Sequence, residues 1–262
     1  MQGAIIGDIA GSIYEWKRIK TESFEPFLAP EAIFTDDSVL TVAVADALVN
    51  GRPPVESFKD WGRRYPDSGW GGRFHRWLFS AETEAYGSFG NGAAMRVSPA
   101  GLLGQTLDQA LDLAHRVTEI THDHPEGLKG AAATAMAIFL ARSGEGTQTI
   151  GQAVTRRFGY DLDRTVDRIR PGYRFNETCQ GSVPEALACA LEATDYEDAI
   201  RNAIRRIRTN DKQRTARCLV SGSVGRDAPR PGQVRRTRPP PYSAGDPGGE
   251  PGPVRQAPGS RG

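Results

Sequence analysis

Gly127 to Arg142 reads GLKGAAATAMAIFLAR. Apolar residues recur at spacings of three and four, through Leu128, Ala131, Ala132, Ala135, Met136, Ile138 and Phe139, in an alanine-rich stretch that favours helix. Almost no polar face is left, which predicts a helix enclosed by other helices at the centre of the fold. Working outward, Val39–Val49, Leu107–Glu119, Val183–Glu192 and Glu197–Ile204 repeat the pattern. Ser38, Thr106, Pro184 at a first turn and Asp195 stand as their start signals. Gly- and Pro-rich breaks separate these segments, such as Gly51-Arg52-Pro53-Pro54, Ser143-Gly144-Glu145-Gly146 and Arg170-Pro171-Gly172. No repeated period-two pattern of β-branched residues occurs, so an all-α domain is expected.

A chain of 262 residues can hold one large domain with a substantial core. Its net charge of +1 conceals an asymmetry: residues 205–262 hold 13 of the 33 Lys and Arg but only four of the 32 acids, leaving about −8 on residues 1–204. So acidic a body argues against broad nucleic-acid binding, which needs clustered Lys and Arg. Residues 205–262 also hold nine of the 18 prolines, with Tyr242 their only aromatic. Such a segment buries too little apolar surface to offset chain entropy, and a disordered, basic Pro/Arg/Gly-rich tail is expected. Cys179, Cys189 and Cys218 are odd in number and lack CxxC spacing, and Asp8 interrupts what would be the apolar region of a secretory signal. A soluble protein of the reducing cytoplasm is the expectation, with no membrane span.

Four short clusters can carry chemistry. Thr35-Asp36-Asp37-Ser38 places successive oxygen-bearing side chains before a helix, where they can either ligate a hard cation or cap backbone N–H groups. Gly7-Asp8-Ile9-Ala10-Gly11, followed by Glu15, reads as close helix packing with an acid one to two turns on, or as part of a site. Gly90-Asn91-Gly92 beside a helical segment can present N–H groups to phosphate or simply form a turn. Thr121-His122-Asp123-His124-Pro125-Glu126-Gly127 contains HxH, but no further His or Cys pair has zinc-like spacing, so capping or ligand contact is favoured over zinc.

Taken together and in this order, G-D-x-x-G with its following Glu, T-D-D-S, G-N-G-x-x-M-R, T-H-x-H-P-E-G and Gln180-Gly181-Ser182-Val183-Pro184-Glu185-Ala186 resemble the ADP-ribosylglycohydrolase family, which includes the dinitrogenase reductase-activating glycohydrolases. The resemblance covers residues 1–204. It implies an orthogonal multi-helix domain that removes ADP-ribose from a modified protein or a small-molecule conjugate at a binuclear Mg²⁺ centre, with Mn²⁺ as the alternative ion. It assigns Thr35, Asp36 and Asp37 to the metals, and Glu15, Asp36 and Asp37 to catalysis. Gly90, Asn91, Gly92 and His122 become contacts to ADP-ribose. Releasing ADP-ribose requires stabilisation of positive charge at the ribose C1″, an activated water and help to the leaving group, and carboxylates beside metal ions suit that task.

The chain departs from the family after Ile204. Where a late G-G-D-S-D-T motif is expected, it reads Arg205-Arg206-Ile207-Arg208-Thr209-Asn210-Asp211. Half of the binuclear ligand set is therefore missing, so at most one tightly bound ion and impaired turnover are expected. Arg206 to Thr209 can be encoded by codons that read Asp-Ser-Asp in another frame, and an out-of-frame, GC-rich reading would give the bias of the tail. Two rival functions follow: a catalytically inactive ADP-ribose-binding or structural relative, as with the family's lens crystallin members, and, less favoured, a metal-dependent phosphoesterase. The acceptor linkage and the oligomeric state are not legible in the sequence.

Overall fold

The computed structural model describes residues 1–15, 25–173 and 176–205, with the side chains of Glu15 and Arg205 outside that description. By compactness the chain divides into Met1–Ala228 and Pro229–Gly262, and the second unit contains no described residue. Arg205, the first residue of the expected disordered tail, is helical; the rest of that tail, 206–262, and the departure at Arg206–Asp211 lie outside the described residues.

Twelve helices follow one another among the described residues, and no strand occurs there; the only β pairing is an isolated bridge between Gly90 and Thr178. They are α1 (Gln2–Ser12), α2 (Asp36–Asn50), α3 (Pro54–Arg64), α4 (Gly72–Phe79), α5 (Gly92–Met95) and α6 (Ser98–Leu103), then α7 (Leu107–Thr118), α8 (Pro125–Arg142), α9 (Thr147–Phe158), α10 (Val166–Ile169), α11 (Cys179–Glu192) and α12 (Tyr196–Arg205). A turn of 3₁₀ helix, Ile13–Glu15, extends α1.

Helix α8 is the axis of the fold. It packs against α5, α6, α7, α9 and α11, and every residue from Ala133 to Ile138 is buried, as its nearly all-apolar circumference requires. Glycine lets neighbours reach it. A Cβ on Gly130 would lie 2.7 Å from Cys179 Sγ, and one on Gly101 of α6 would lie 2.7 Å from the Ala135 carbonyl. No helix among the described residues is long and apolar enough to cross a membrane.

Several starts differ from the sequence expectation. Helix α2 begins at Asp36, with the Thr35 hydroxyl, not Ser38, accepting from the Asp37 N–H. Helix α11 begins at Cys179 behind a Thr178 cap, so Pro184 lies inside the helix and not at its first turn. The cap supplies a stronger start than proline, whose missing N–H removes only one ladder bond. Thr106 caps α7 and Asp195 bonds the Asp198 N–H, both as expected.

Helices α1 and α12 form a smaller second core. Tyr196, Ile200 and Ile204 pack around Ala10 with Ile6, Tyr14 and Phe27 beside them, and the Tyr196 hydroxyl donates to the Gly3 carbonyl at 2.6 Å. This core carries α1 against the start of α2, where the candidate site begins.

Candidate functional site

Asp8, on α1, ties the site together at its first element. One carboxylate oxygen accepts from the Thr35 N–H (2.7 Å), the Ser38 hydroxyl (2.6 Å) and the Ser38 N–H (3.3 Å); the other accepts from the Thr35 hydroxyl at 2.6 Å. Asp8, Thr35, Asp37 and Ser38 are all buried, where such charge-assisted bonds gain strength. The result locks the Thr35–Ser38 turn so that Asp36 and Asp37 line a cleft of about 300 Å³. Thr35 sits behind them, its hydroxyl held by Asp8.

The same cleft is lined by the loop around Gly90-Asn91-Gly92, with His122 and Arg96. Each end of this loop is pinned. The Gly87 N–H donates to Asp123 (2.7 Å), the Asn91 N–H to the Glu177 carbonyl (2.7 Å), and the Cys179 N–H to the Phe89 carbonyl (2.9 Å). Cys179 Sγ also lies 3.2 Å from the Gly90 carbonyl, and burial pushes its thiol up to about 12, so it packs as an inert side chain. Gly127 is required here: a Cβ would come within 2.8 Å of the Ser88 carbonyl and 2.9 Å of the His122 carbonyl, forcing α8 away from the loop.

The two histidines of HxH separate. His124 accepts from the Glu126 N–H at 3.1 Å and caps α8, while His122 is buried and faces the cleft. A Cβ on Gly92 would lie 3.1 Å from His122 Nε2, so the glycine makes room for the imidazole. Burial, then the charges of Arg96 and Arg73, hold the His122 pKa well below its ordinary value, and the ring is neutral at pH 7. Arg96 is wholly buried, stacked over Phe58 with its guanidinium carbon 4.7 Å from the ring centroid, and burial lowers its pKa to about 10. Arg73 is exposed at the rim, over the Tyr86 ring and bonded to the Tyr86 carbonyl at 2.6 Å.

Among the sequence candidates, then, Asp36, Asp37, Gly90, Asn91, Gly92 and His122 share one cleft. The Glu15 side chain is outside the described residues. Asp36, Asp37, Glu177, Arg73 and Arg96 line one cleft, a set of charges suited to a ligand that carries both anionic phosphate and polar hydroxyls. Among the described residues, no group of three or more His, Cys, Asp or Glu side chains is placed to hold a metal. Of the residues the resemblance assigns to metal, Asp36 and Asp37 line the cleft and Thr35 does not. Arg73, Tyr86 and Glu177 also line the cleft and were not anticipated. The Arg-Trp-rich segment of α4 gave no signal that Arg73 would face the same space as Gly90. The Gln180–Ala186 run does not line the cleft: Ser182 bonds back to the Thr178 carbonyl and Glu185 pairs with Arg164 at 2.8 Å.

A family model for ADP-ribosylglycohydrolase matches residues 1–212, and the chain belongs to that family. It is 30% identical over 183 residues to ADP-ribosylhydrolase ARH3 of Bos taurus and equally to that of Homo sapiens, in each case over 55% of this chain and 49% of the relative. The Mus musculus protein of the same name is 26% identical over 178 residues. The chain therefore spans about half the length of the curated relatives it matches. A solved structure described as an ADP-ribosylglycohydrolase-related protein complex superposes with a TM-score of 0.61 at 22% identity, covering 86% of this chain and 84% of that one, which establishes the shared all-α fold.

Proposed function

We propose that this chain binds ADP-ribose conjugates, from modified protein or from small molecules, and hydrolyses their glycosidic bond weakly. The observation that carries the reading is that Asp36 and Asp37 share one cleft with Gly90, Gly92, His122 and Arg96. Phosphate oxygens suit the guanidiniums, beside which the neutral His122 supplies hydrogen bonding without a mobile charge. The ribose and its C1″ then fall toward Asp36 and Asp37, whose negative charge favours the oxocarbenium character that develops as the bond to the acceptor breaks. A carboxylate at that position also accepts the proton of an attacking water. A Mg²⁺ or Mn²⁺ ion held by Asp36 and Asp37, with Thr35 behind them, would orient ribose hydroxyls and acidify water.

The second reading, an ADP-ribose binder with little turnover, is favoured by the missing late motif at Arg205–Asp211, and because no group of three or more His, Cys, Asp or Glu side chains among the described residues is placed to hold a metal. Two ions about 3.5–4 Å apart need bridging carboxylates to offset their repulsion. One tight ion is therefore expected.

Calorimetric titration with Mg²⁺, Mn²⁺ and ADP-ribose, run beside product analysis, tests this. One tight divalent site is expected, lost in Asp36→Ala, with slow release of intact ADP-ribose. A version carrying the late G-G-D-S-D-T motif should turn over at least about 100-fold faster, the scale on which metal-site partners act. AMP as product, or no ADP-ribose binding, would reject the proposal; two tight ions with full activity would reject the one-ion account.

A further inference from the structure

Arg96 is an isolated cation in the core. It is 0% exposed, no carboxylate among the described residues pairs with it, and its Nε and Nη1 have no hydrogen-bond partner there. Its third nitrogen, Nη2, donates to the Thr121 hydroxyl at 2.7 Å and to the Val117 carbonyl at 3.4 Å, and lies 3.5 Å from His122 Nδ1. The Thr121 oxygen is itself 2.8 Å from that Nδ1. Arginine can only donate, so the Thr121 oxygen accepts from it and keeps its own single proton for another acceptor.

Two assignments of the Thr121–His122 bond are possible in principle, and Arg96 separates them. If Nδ1 carried the imidazole proton, that N–H would point toward the guanidinium cation 3.5 Å away, and the Thr121 proton would have no acceptor among the described residues. If Nδ1 is the acceptor, the chain Arg96 to Thr121 to His122 runs donor to acceptor throughout, and the single proton of the neutral ring sits on Nε2. Nε2 is the edge turned toward Gly92 and Gly90, at 3.1 and 3.7 Å from where their Cβ atoms would stand.

We propose that Arg96, acting through the Thr121 hydroxyl, is a positioning residue that fixes His122 as the neutral Nε2–H tautomer and so aims one hydrogen-bond donor into the cleft. That the donor meets an oxygen of ADP-ribose rests on the function proposed above; the tautomer does not. The charged and titratable groups facing His122 are Arg96 after α5, Arg73 on α4 and Tyr86, whose ring centroid is 6.2 Å away. Both cations oppose a second proton on the ring. A guanidinium that merely filled space over Phe58 would leave the tautomer indifferent to Thr121.

The test is long-range ¹H–¹⁵N NMR on the full chain with labelled histidine, the four residues His75, His115, His122 and His124 being separable by a His122→Asn blank. The wild type is expected to show His122 with unprotonated Nδ1 and protonated Nε2, unchanged between about pH 6 and 8. Thr121→Val should give mixed tautomers and bind ADP-ribose about 10-fold more weakly, the scale of one charge-assisted hydrogen bond. Thr121→Ser should restore both. A wild-type His122 that is Nδ1-protonated or cationic overturns the proposal without any variant, as does Thr121→Val with an unaltered spectrum. Failure of the wild type to bind ADP-ribose would instead reject the function, while the ligand-free spectrum still decides the tautomer.

Discussion

Asp8 accepts four hydrogen bonds from two residues that are 27 and 30 positions away in sequence. Asp8→Asn keeps the shape but removes the charge and turns one acceptor atom into a donor facing a hydroxyl or an N–H. A loss of about 3 kcal/mol is expected from the unmet partners, seen in chemical denaturation, together with weaker divalent-ion binding as the Thr35–Ser38 turn loosens. An unchanged denaturation midpoint would show that Asp8 does not hold this turn. His122 makes a pH dependence. Its folded pKa is depressed by burial, then by Arg96 and Arg73, so below its ordinary value of about 6.5 the unfolded chain takes up a proton that the native state refuses. Stability contributed by the neutral ring is therefore present above about pH 6.5 and falls as pH drops below it, levelling once the folded pKa is passed. His122→Gln should flatten this part of the stability profile between about pH 7.5 and 5.5, as measured by denaturation at each pH; a slope equal to that of the wild type would contradict it.

At the scale of elements, motif glycines act through backbone approach. Gly127→Ala would bring a methyl group within 2.9 Å of two carbonyl oxygens, those of Ser88 and His122, and neither is the end of a flexible side chain. The start of α8 must then shift from the 87–92 loop, at an expected cost of about 1–3 kcal/mol and a larger proportional loss of ADP-ribose affinity than of stability. Affinity and stability falling by the same factor would show that the loop tolerates the shift. The helices themselves were legible in the sequence: α7, α8 and α12 lie within two residues of their expected bounds, because their apolar spacing and their capping side chains act locally. Helix α11 ends at Glu192 as expected but starts four residues early, since Pro184 reads as a start signal only until Thr178, three residues before Gly181, is seen to cap the chain. The Thr35 cap was hidden in the same way, because Ser38 also has a capping side chain but is drawn to Asp8.

Across the whole molecule, the candidate site depends on a contact between its two most distant described segments. Ile200 on α12 is fully buried against α1, and Tyr196 bonds the Gly3 carbonyl, so α12 seats the helix that bears Asp8. Ile200→Ala should cost about 2–5 kcal/mol and lower divalent-ion affinity, although Ile200 does not line the cleft. Ion binding unaffected in the folded variant would show that α1 is held by α2 alone. The sequence by itself determined the all-α class, the central place of Gly127–Arg142 and the family, and it singled out Asp36, Asp37, Gly90, Asn91, Gly92 and His122, which the fold brings to one cleft, since apolar periodicity and short motifs are properties of neighbouring residues. Only the tertiary structure decided that Asp8 holds Thr35 and Ser38, that Arg73 and Arg96 line the same cleft as the aspartates, and that Thr121 stands between Arg96 and His122. Those arrangements join residues from separate helices and loops, and no single stretch of the chain contains any of them.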